Sequence, residues 1–292
     1  MTPKKILVAT DFSSAGELAV QRAATLAQRY RAELRLLHAV PPQRWLDGLL
    51  PSRQHWTQQV SARASVALKA LADQLATDRK IDVSTALIRG RASVAIASGM
   101  EQFKPDLVVI GAVGERLLDA QTGLGNTAMQ LLRTTETPAL LVRRHDIELP
   151  TRMLAALDLT PASVAVMRWA RLLAARGGVL TALHVFDAPF ADRLRGYGVS
   201  RRTIDVYARD QQLERERLLR STLLEAGAGR QTNKLVLRGE AIRSITAQLR
   251  KLKIDTLVIG KHSRRKRDAA APYGSVCQHL AYFAPVDVLI VP

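Results

Sequence analysis

Asp106-Leu107-Val108-Val109-Ile110-Gly111-Ala112-Val113-Gly114, followed after ten residues by Gly125-Asn126-Thr127, is the stretch on which the fold turns. An unbroken apolar run ending in glycine reads as a strand buried on both faces, the mark of a parallel sheet covered by helices. The glycines open a loop and Asn126-Thr127 begin a helix. Such a loop can present backbone N–H groups to an anion, with the positive end of the helix dipole behind them. Asp255-Thr256-Leu257-Val258-Ile259-Gly260 repeats the strand, with Ser263 in its loop and, ten residues further on, Gly274-Ser275.

Outward from this stretch the chain alternates strand and helix. Ile6-Leu7-Val8-Ala9-Thr10 is a buried strand ending at Asp11-Phe12-Ser13-Ser14. Ser13 or Ser14 caps the next helix, with Glu17 at capping-box distance from Ser14. Glu33 to Val40 is a second strand, stopped by Pro41-Pro42. A looser segment with Trp45, Leu49, Leu50 and Pro51 leads to a long helix from Ser52 to Asp78. Asp82 to Ile88 is a third strand, closed by Arg89-Gly90, and Val94, Ile96, Ala97 and Met100 mark a third helix. A fourth helix from about Gly125 to Arg133 and a fifth strand, Pro138 to Val142, complete the half.

The order then begins again. Met153 to Asp158 matches the first strand and Asp11 at an offset of 147, and Leu183-His184-Val185 matches Leu37-His38-Ala39 at 146. Leu237-Arg238-Gly239 matches Ile88-Arg89-Gly90, and Ile259-Gly260 matches Ile110-Gly111, both at 149. Landmarks in one order at a near-constant offset indicate duplication. Two domains, 1–146 and 147–292, follow, joined by a short charged link near His145-Pro150. Each half predicts an α/β domain with right-handed crossovers.

Composition agrees. Aromatics are 4% of the 292 residues, so the core is built from Ala, Leu, Val and Ile. The formal net charge is +17, split as 19 basic against 13 acidic residues in 1–146 and 24 against 13 in 147–292. That bias suits phosphates, nucleic acid or an anionic membrane surface, and equally a solvated, self-repelling surface. Cys277 is the single cysteine, so no disulfide can form within the chain and no cysteine metal site is expected. The N-terminal apolar run is too short for a signal h-region, and no run approaches the ~20 residues of a membrane span. A cytoplasmic location is expected. The P-loop spacing is absent, as is a Gly-x-Gly-x-x-Gly after the first strand, which argues against an ordinary ATPase and a dinucleotide dehydrogenase.

These landmarks resemble the universal stress protein family, in two tandem copies covering nearly the whole chain. The shared features are a strand ending in Asp, an L-H-x-V second strand, an R-G turn, and D-x-x-V-x-G. The resemblance implies two Rossmann-like (adenine nucleotide alpha hydrolase-like) domains. Each would be a five-stranded parallel sheet of order 3-2-1-4-5 with helices on both faces. It also implies a pseudo-dimer within the chain, with a homodimer as a further option. Winding reverses between strands one and four, and ligands of open α/β sheets sit at such a switch point.

Nucleotide-binding members carry G-x2-G-x9-G-(S/T) after strand four. The resemblance therefore implies ATP or a related adenine nucleotide bound by Asp11, Val40, Gly111, Gly114, Gly125, Asn126 and Thr127. In the second copy it points to Asp158, Gly260, Ser263, Gly274 and Ser275. The gap before the last glycine is ten residues in both copies instead of nine, and Asn follows Gly125. Ser263 stands where the middle glycine would be, which favours the first copy, whereas Arg264-Arg265-Lys266-Arg267 supplies cations in the second loop. Against binding stands the plain reading that these glycines serve tight turns and that each Asp caps a helix.

His38 and His184 read as structural, each with one hydrogen bond, and Cys277 as a small core residue. Arg193, Arg195, Arg201 and Arg202 around Gly196-Tyr197-Gly198 form a basic loop without a recognisable nucleic-acid module. No residue pair reads as a catalyst, and no metal is expected beyond an ion accompanying the nucleotide. The expected role is a nucleotide-responsive stress or signalling factor with unknown protein partners. The alternatives are a scaffold acting through protein or anionic-ligand contacts, a weak ATP hydrolase, and a nucleic-acid or membrane-surface binder.

Overall fold

The computed structural model describes residues 2–41, 53–112, 123–144, 148–187, 197, 199–229, 231–261 and 273–292, with 53–57 by backbone alone. It divides into two compact units, Met1–Leu149 and Pro150–Pro292. The first runs β1 (Lys5–Ala9), α1 (Ser14–Tyr30), β2 (Glu33–Val40), α2 (Arg53–Arg79), β3 (Val83–Arg89), α3 (Ala92–Phe103), β4 (Leu107–Gly111), α4 (Asn126–Thr134) and β5 (Ala139–Val142). The second runs β6 (Arg152–Ala156), α5 (Ala162–Leu173), β7 (Val179–Phe186), α6 (Arg201–Glu225), β8 (Asn233–Arg238), α7 (Ala241–Lys251), β9 (Thr256–Gly260), α8 (Ser275–Phe283) and β10 (Asp287–Val291).

All strand pairs within each unit are parallel. The first unit has the order β3-β2-β1-β4-β5, and the second repeats it as β8-β7-β6-β9-β10. This is the order 3-2-1-4-5 that the resemblance implies. α1 packs with α2 and α3 with α4, as α5 does with α6 and α7 with α8, so helices cover both faces of each sheet. The apolar runs are where such layering puts them: Ile6, Leu7, Val8, Leu107, Val108 and Val109 are all fully buried. Alanines line the underside of α1 at Ala19, Ala23, Ala24 and Ala27, which lets the helix lie close on the sheet.

A carboxylate fixes how the first and fourth strands of each unit meet. Asp106 Oδ2 accepts from the backbone N–H groups of Lys4 at 2.7 Å and Lys5 at 3.0 Å. Asp255 Oδ2 does the same for Thr151 and Arg152, both at 2.8 Å, and takes the Thr151 hydroxyl at 3.1 Å. Each aspartate precedes the fourth strand of its unit and ties down the start of the first. The registers Ile6↔Leu107 and Met153↔Thr256 follow directly. At the other end of the sheet, the Arg-Gly turns need their glycines: Gly90 has φ +146° and Gly239 φ +152°.

The structure decides between the two candidate caps of α1 and corrects the capping box. Ser13, not Ser14, is the N-cap of α1, and its Oγ accepts from Gly16 N–H at 3.1 Å. Asp11 Oδ1 takes both the N–H and the hydroxyl of Ser13, which draws the turn one residue earlier. Glu17 is therefore one position too late for a capping box.

Removing the Asp255 carboxylate leaves two strand N–H groups without their charged acceptor at a buried position. Hydrogen bonds to a charged group contribute about 1.5–3 kcal/mol each before relaxation. Asp255→Ala is expected to lower the unfolding free energy by about 2–4 kcal/mol in a urea titration, and a loss below about 0.5 kcal/mol would show that the clamp does not hold the register.

Candidate functional site

In each unit the first and fourth strands end side by side, with Ala9 opposite Ile110 and Ala156 opposite Ile259. The next residues therefore open onto one crevice at the C-terminal edge of the sheet, where the winding reverses. Asp11 and Asp158 stand on one wall. The other wall is the end of the fourth strand and the start of the following helix. Gly125 N–H donates to Ala112 O at 2.7 Å, and Gly274 N–H to Lys261 O at 2.9 Å, so α4 and α8 begin directly above β4 and β9.

The strand-to-helix turn is built the same way twice. Phe12 has φ +61° and Leu159 φ +59°. A non-glycine residue in the left-handed region costs about 1–2 kcal/mol, and both copies carry it immediately after the aspartate. The carboxylate offsets the strain by anchoring the turn. In the first unit Asp11 Oδ1 accepts twice from Ser13. In the second, Asp158 Oδ1 accepts from Thr160 N–H at 3.1 Å, the Thr160 hydroxyl at 2.7 Å and the Ser163 hydroxyl at 2.9 Å.

The second oxygen separates the two copies. Asp11 is exposed to solvent. Asp158 is half-buried, and its Oδ2 is fully buried with no hydrogen-bond partner among the described residues. Ser163 holds the position that Gly16 holds in the first unit. A Cβ at Gly16 would meet Asp11 Oδ1 at 2.7 Å, so the first turn is tighter and has no room for the third hydroxyl.

The histidines occupy matched places. His38 Nδ1 lies 2.8 Å from Thr10 O, and His184 Nδ1 lies 2.8 Å from Leu157 O. A carbonyl accepts only, so each Nδ1 carries the proton. The structural role read from the sequence is what the geometry shows. Phe12 lies against His38, with ring centroids 4.6 Å apart, and remains 43% exposed at the crevice. Burial pushes the His184 pKa down; the bond to Leu157 opposes this, the charge of Arg215 on α6 adds to it, and Asp158 opposes it. The Nε of Arg215 is also buried without a partner among the described residues.

The glycines divide by role. A Cβ on Gly111 would meet Ala15 O at 2.9 Å, so this glycine lets the start of α1 approach β4. Gly125 and Gly274 are extended, with φ −60° and −66°, and neither needs glycine for its backbone conformation. As N-caps they offer no side-chain acceptor, so no side chain among the described residues caps α4 or α8. Of the neighbouring residues, Asn126 is exposed, with its Oδ1 accepting from Gln130 at 3.4 Å, and Thr127 is half-buried. Ser275 is exposed and Gly260 half-buried. The Val40 carbonyl already accepts from Gly90 N–H at 2.9 Å, which leaves one lone pair open. Gly114, Ser263, Arg264 to Arg267, Arg193 and Arg195 lie outside the described residues.

The sequence reading passed over several residues here. Thr160 and Ser163 clamp Asp158; the offset that matches Asp11 to Asp158 also pairs Ser163 with Gly16, and that signal was available. Lys261 stands where the first copy has Ala112, and it is buried, at 2% exposure. It lies near Cys277, whose thiol burial pushes up to about 12, with Lys261 opposing the shift. Among the described residues no group of three or more His, Cys, Asp and Glu could hold a metal ion.

The sequence model described as the universal stress protein family matches residues 2–143 and again 150–292. A search of curated proteins returned no match. Among solved structures, the chain is similar to a universal stress protein from Archaeoglobus fulgidus, with a TM-score of 0.69 at 15% identity, over 100% of this chain and 99% of that one. A putative universal stress protein from Pseudomonas aeruginosa gives 0.67 at 19%, over 99% and 93%. At these identities the likeness speaks to the fold.

Two outcomes follow from the site. The folded pKa of His184 lies below its unfolded value of about 6.5. The unfolded chain then binds the proton more readily, so this group's contribution is complete above about pH 6.5 and is lost as the pH falls below it. In urea titrations from about pH 7.5 to 5.5, His184→Asn should weaken less than the wild type; equal slopes would assign the titration elsewhere. Cys277 should ignore a thiol reagent in the folded protein and react once on unfolding, and rapid native labelling would contradict its burial.

Proposed function

The chain belongs to the universal stress protein family, and on that premise we propose that it binds an adenine nucleotide, ATP or a relative, in the crevice between the first and fourth strands. One observation carries the reading: the buried Oδ2 of Asp158, which has no partner among the described residues. A buried acceptor without a donor is rare in folded proteins and marks a group that something else satisfies. The amino group of adenine or a ribose hydroxyl supplies that donor. The Arg215 Nε, also without a partner among the described residues, asks for an acceptor, which a purine ring nitrogen or a ribose oxygen offers. At the other wall, helix N-termini that no side chain caps suit phosphate oxygens, because the orphan amides and the dipole both favour negative charge.

The first crevice contributes differently. Asp11 is open to water, and the exposed Phe12 ring beside it offers a face on which a base can stack. The sequence favoured this copy through Gly114, which lies outside the described residues; the orphan carboxylate oxygen moves the weight to the second copy. The reading is of binding without turnover, in which occupancy alters the loops after β4 and β9 and partners sense the change. A cytoplasmic stress-response role fits it; no helix among the described residues is long and apolar enough to cross a membrane.

Equilibrium titration with ATP tests this on the full chain. The wild type is expected to bind, and Asp158→Ala to weaken the tightest site about 10–100-fold, the worth of one charge-assisted hydrogen bond. Asp11→Ala should leave that site within about threefold. Wild-type protein that binds no nucleotide at millimolar concentration (about −4 kcal/mol), or an Asp158→Ala variant that binds as the wild type does, would overturn the assignment. Phosphate release that survives both substitutions would point to a contaminant.

A further inference from the structure

Helix α6 buries one side and leaves the other conspicuously furnished. Ile204, Leu219 and Leu223 face inward, where the helix packs on β8 and α5. On the opposite side Val206, Arg209, Leu213, Arg217, Arg220 and Leu224 follow at steps of three or four residues, so they form one ridge about 27 Å long. All six are exposed, and the aliphatic members are bare: Val206 is 54%, Leu213 48% and Leu224 78% accessible. Arg202 continues the ridge at its N-terminal end, also exposed. Asp210 and Glu214 lie exposed along one edge of this ridge, and Glu216 at the other edge reaches Arg220 at 3.9 Å.

The duplication supplies an internal control. α2 holds the same place in the first unit, and its exposed positions from 58 onward include Ala62, Arg63, Ser65, Lys69, Ala70 and Asp73, with Val66 the large aliphatic among them. The fold therefore does not call for an arginine and aliphatic ridge on this helix. It also sits in the more basic half of the chain, with 24 basic against 13 acidic residues in 147–292.

We propose that the outer face of α6 docks on an anionic phospholipid bilayer, the helix lying in the plane of the headgroups. A second copy of the chain is a poor occupant, because two such ridges would bring arginines together. A nucleic acid would use the arginines and leave the aliphatic side chains in water. A bilayer takes both: Val206, Leu213 and Leu224 enter the boundary between headgroups and acyl chains, and the arginines reach back to lipid phosphates. Tyr197, 83% exposed just before the helix, is of the type that settles at headgroup level. This surface is distinct from the crevices, so it stands or falls without the nucleotide reading.

Vesicle flotation of the full-length protein tests it, using phosphatidylglycerol–phosphatidylcholine vesicles against pure phosphatidylcholine at physiological salt. The wild type should float with the anionic vesicles only. Leu213→Ser with Leu224→Ser should weaken binding about tenfold or more, and so should Arg209→Gln with Arg217→Gln and Arg220→Gln. Neutralising Arg63 and Lys69 on α2 should leave it within about twofold. Circular dichroism confirms that each variant is folded. A wild type that does not float, a serine variant that binds as the wild type does, or an α2 variant as weak as the arginine variant would each overturn the proposal. So would tighter binding to duplex DNA or to an acidic peptide, if the serine changes leave it unaffected.

Discussion

The register between the first and fourth strands is the constraint on which the rest depends. Each unit sets it from below, with a carboxylate at the foot of the fourth strand gripping the opening amides of the first. Asp106 does this for Lys4 and Lys5, and Asp255 for Thr151 and Arg152. Because the strands are then parallel and level, their upper ends open at the same height. A slip of one residue would turn every side chain of a strand to the other face.

From that fixed pair of ends the crevice follows. The first strand turns through a left-handed residue, Phe12 or Leu159, and its aspartate spends one oxygen holding the turn. The fourth strand ends beneath a helix that starts without a side-chain cap. The histidine on the second strand ties back to the carbonyl just before the aspartate and fixes the wall from behind. The two copies share this frame and differ in its furniture. Gly16 and Ala112 in one are replaced by Ser163 and Lys261 in the other, and the second aspartate is the more buried, with the Ser163 hydroxyl on its Oδ1.

Much of this was legible in the sequence, for identifiable reasons. The strands were legible because residues buried on both faces leave no room for polar alternation, and Glu33–Val40 was read to the residue. The paired histidines were legible because duplication turns one residue into two observations. The N-cap stayed open between Ser13 and Ser14, since choosing between them depends on where Asp11 Oδ1 points. Gly111 was read for phosphate access, and the approach of Ala15 from another element is a second reason for glycine there. No spacing along one chain reports a contact of that kind. The orphaned Asp158 Oδ2 was illegible because burial of one carboxylate oxygen depends on three dimensions, although Ser163 at the place of Gly16 hinted that the copies had diverged there.

The most direct measurement is a crystal structure of the full chain grown with ATP. The account predicts density in the second crevice, with an amino or hydroxyl group of the ligand about 3 Å from Asp158 Oδ2. The phosphates should extend toward the first turn of α8. A structure with ATP present in which Asp158 Oδ2 is met instead by a protein side chain, and both crevices stand without ligand, would contradict it.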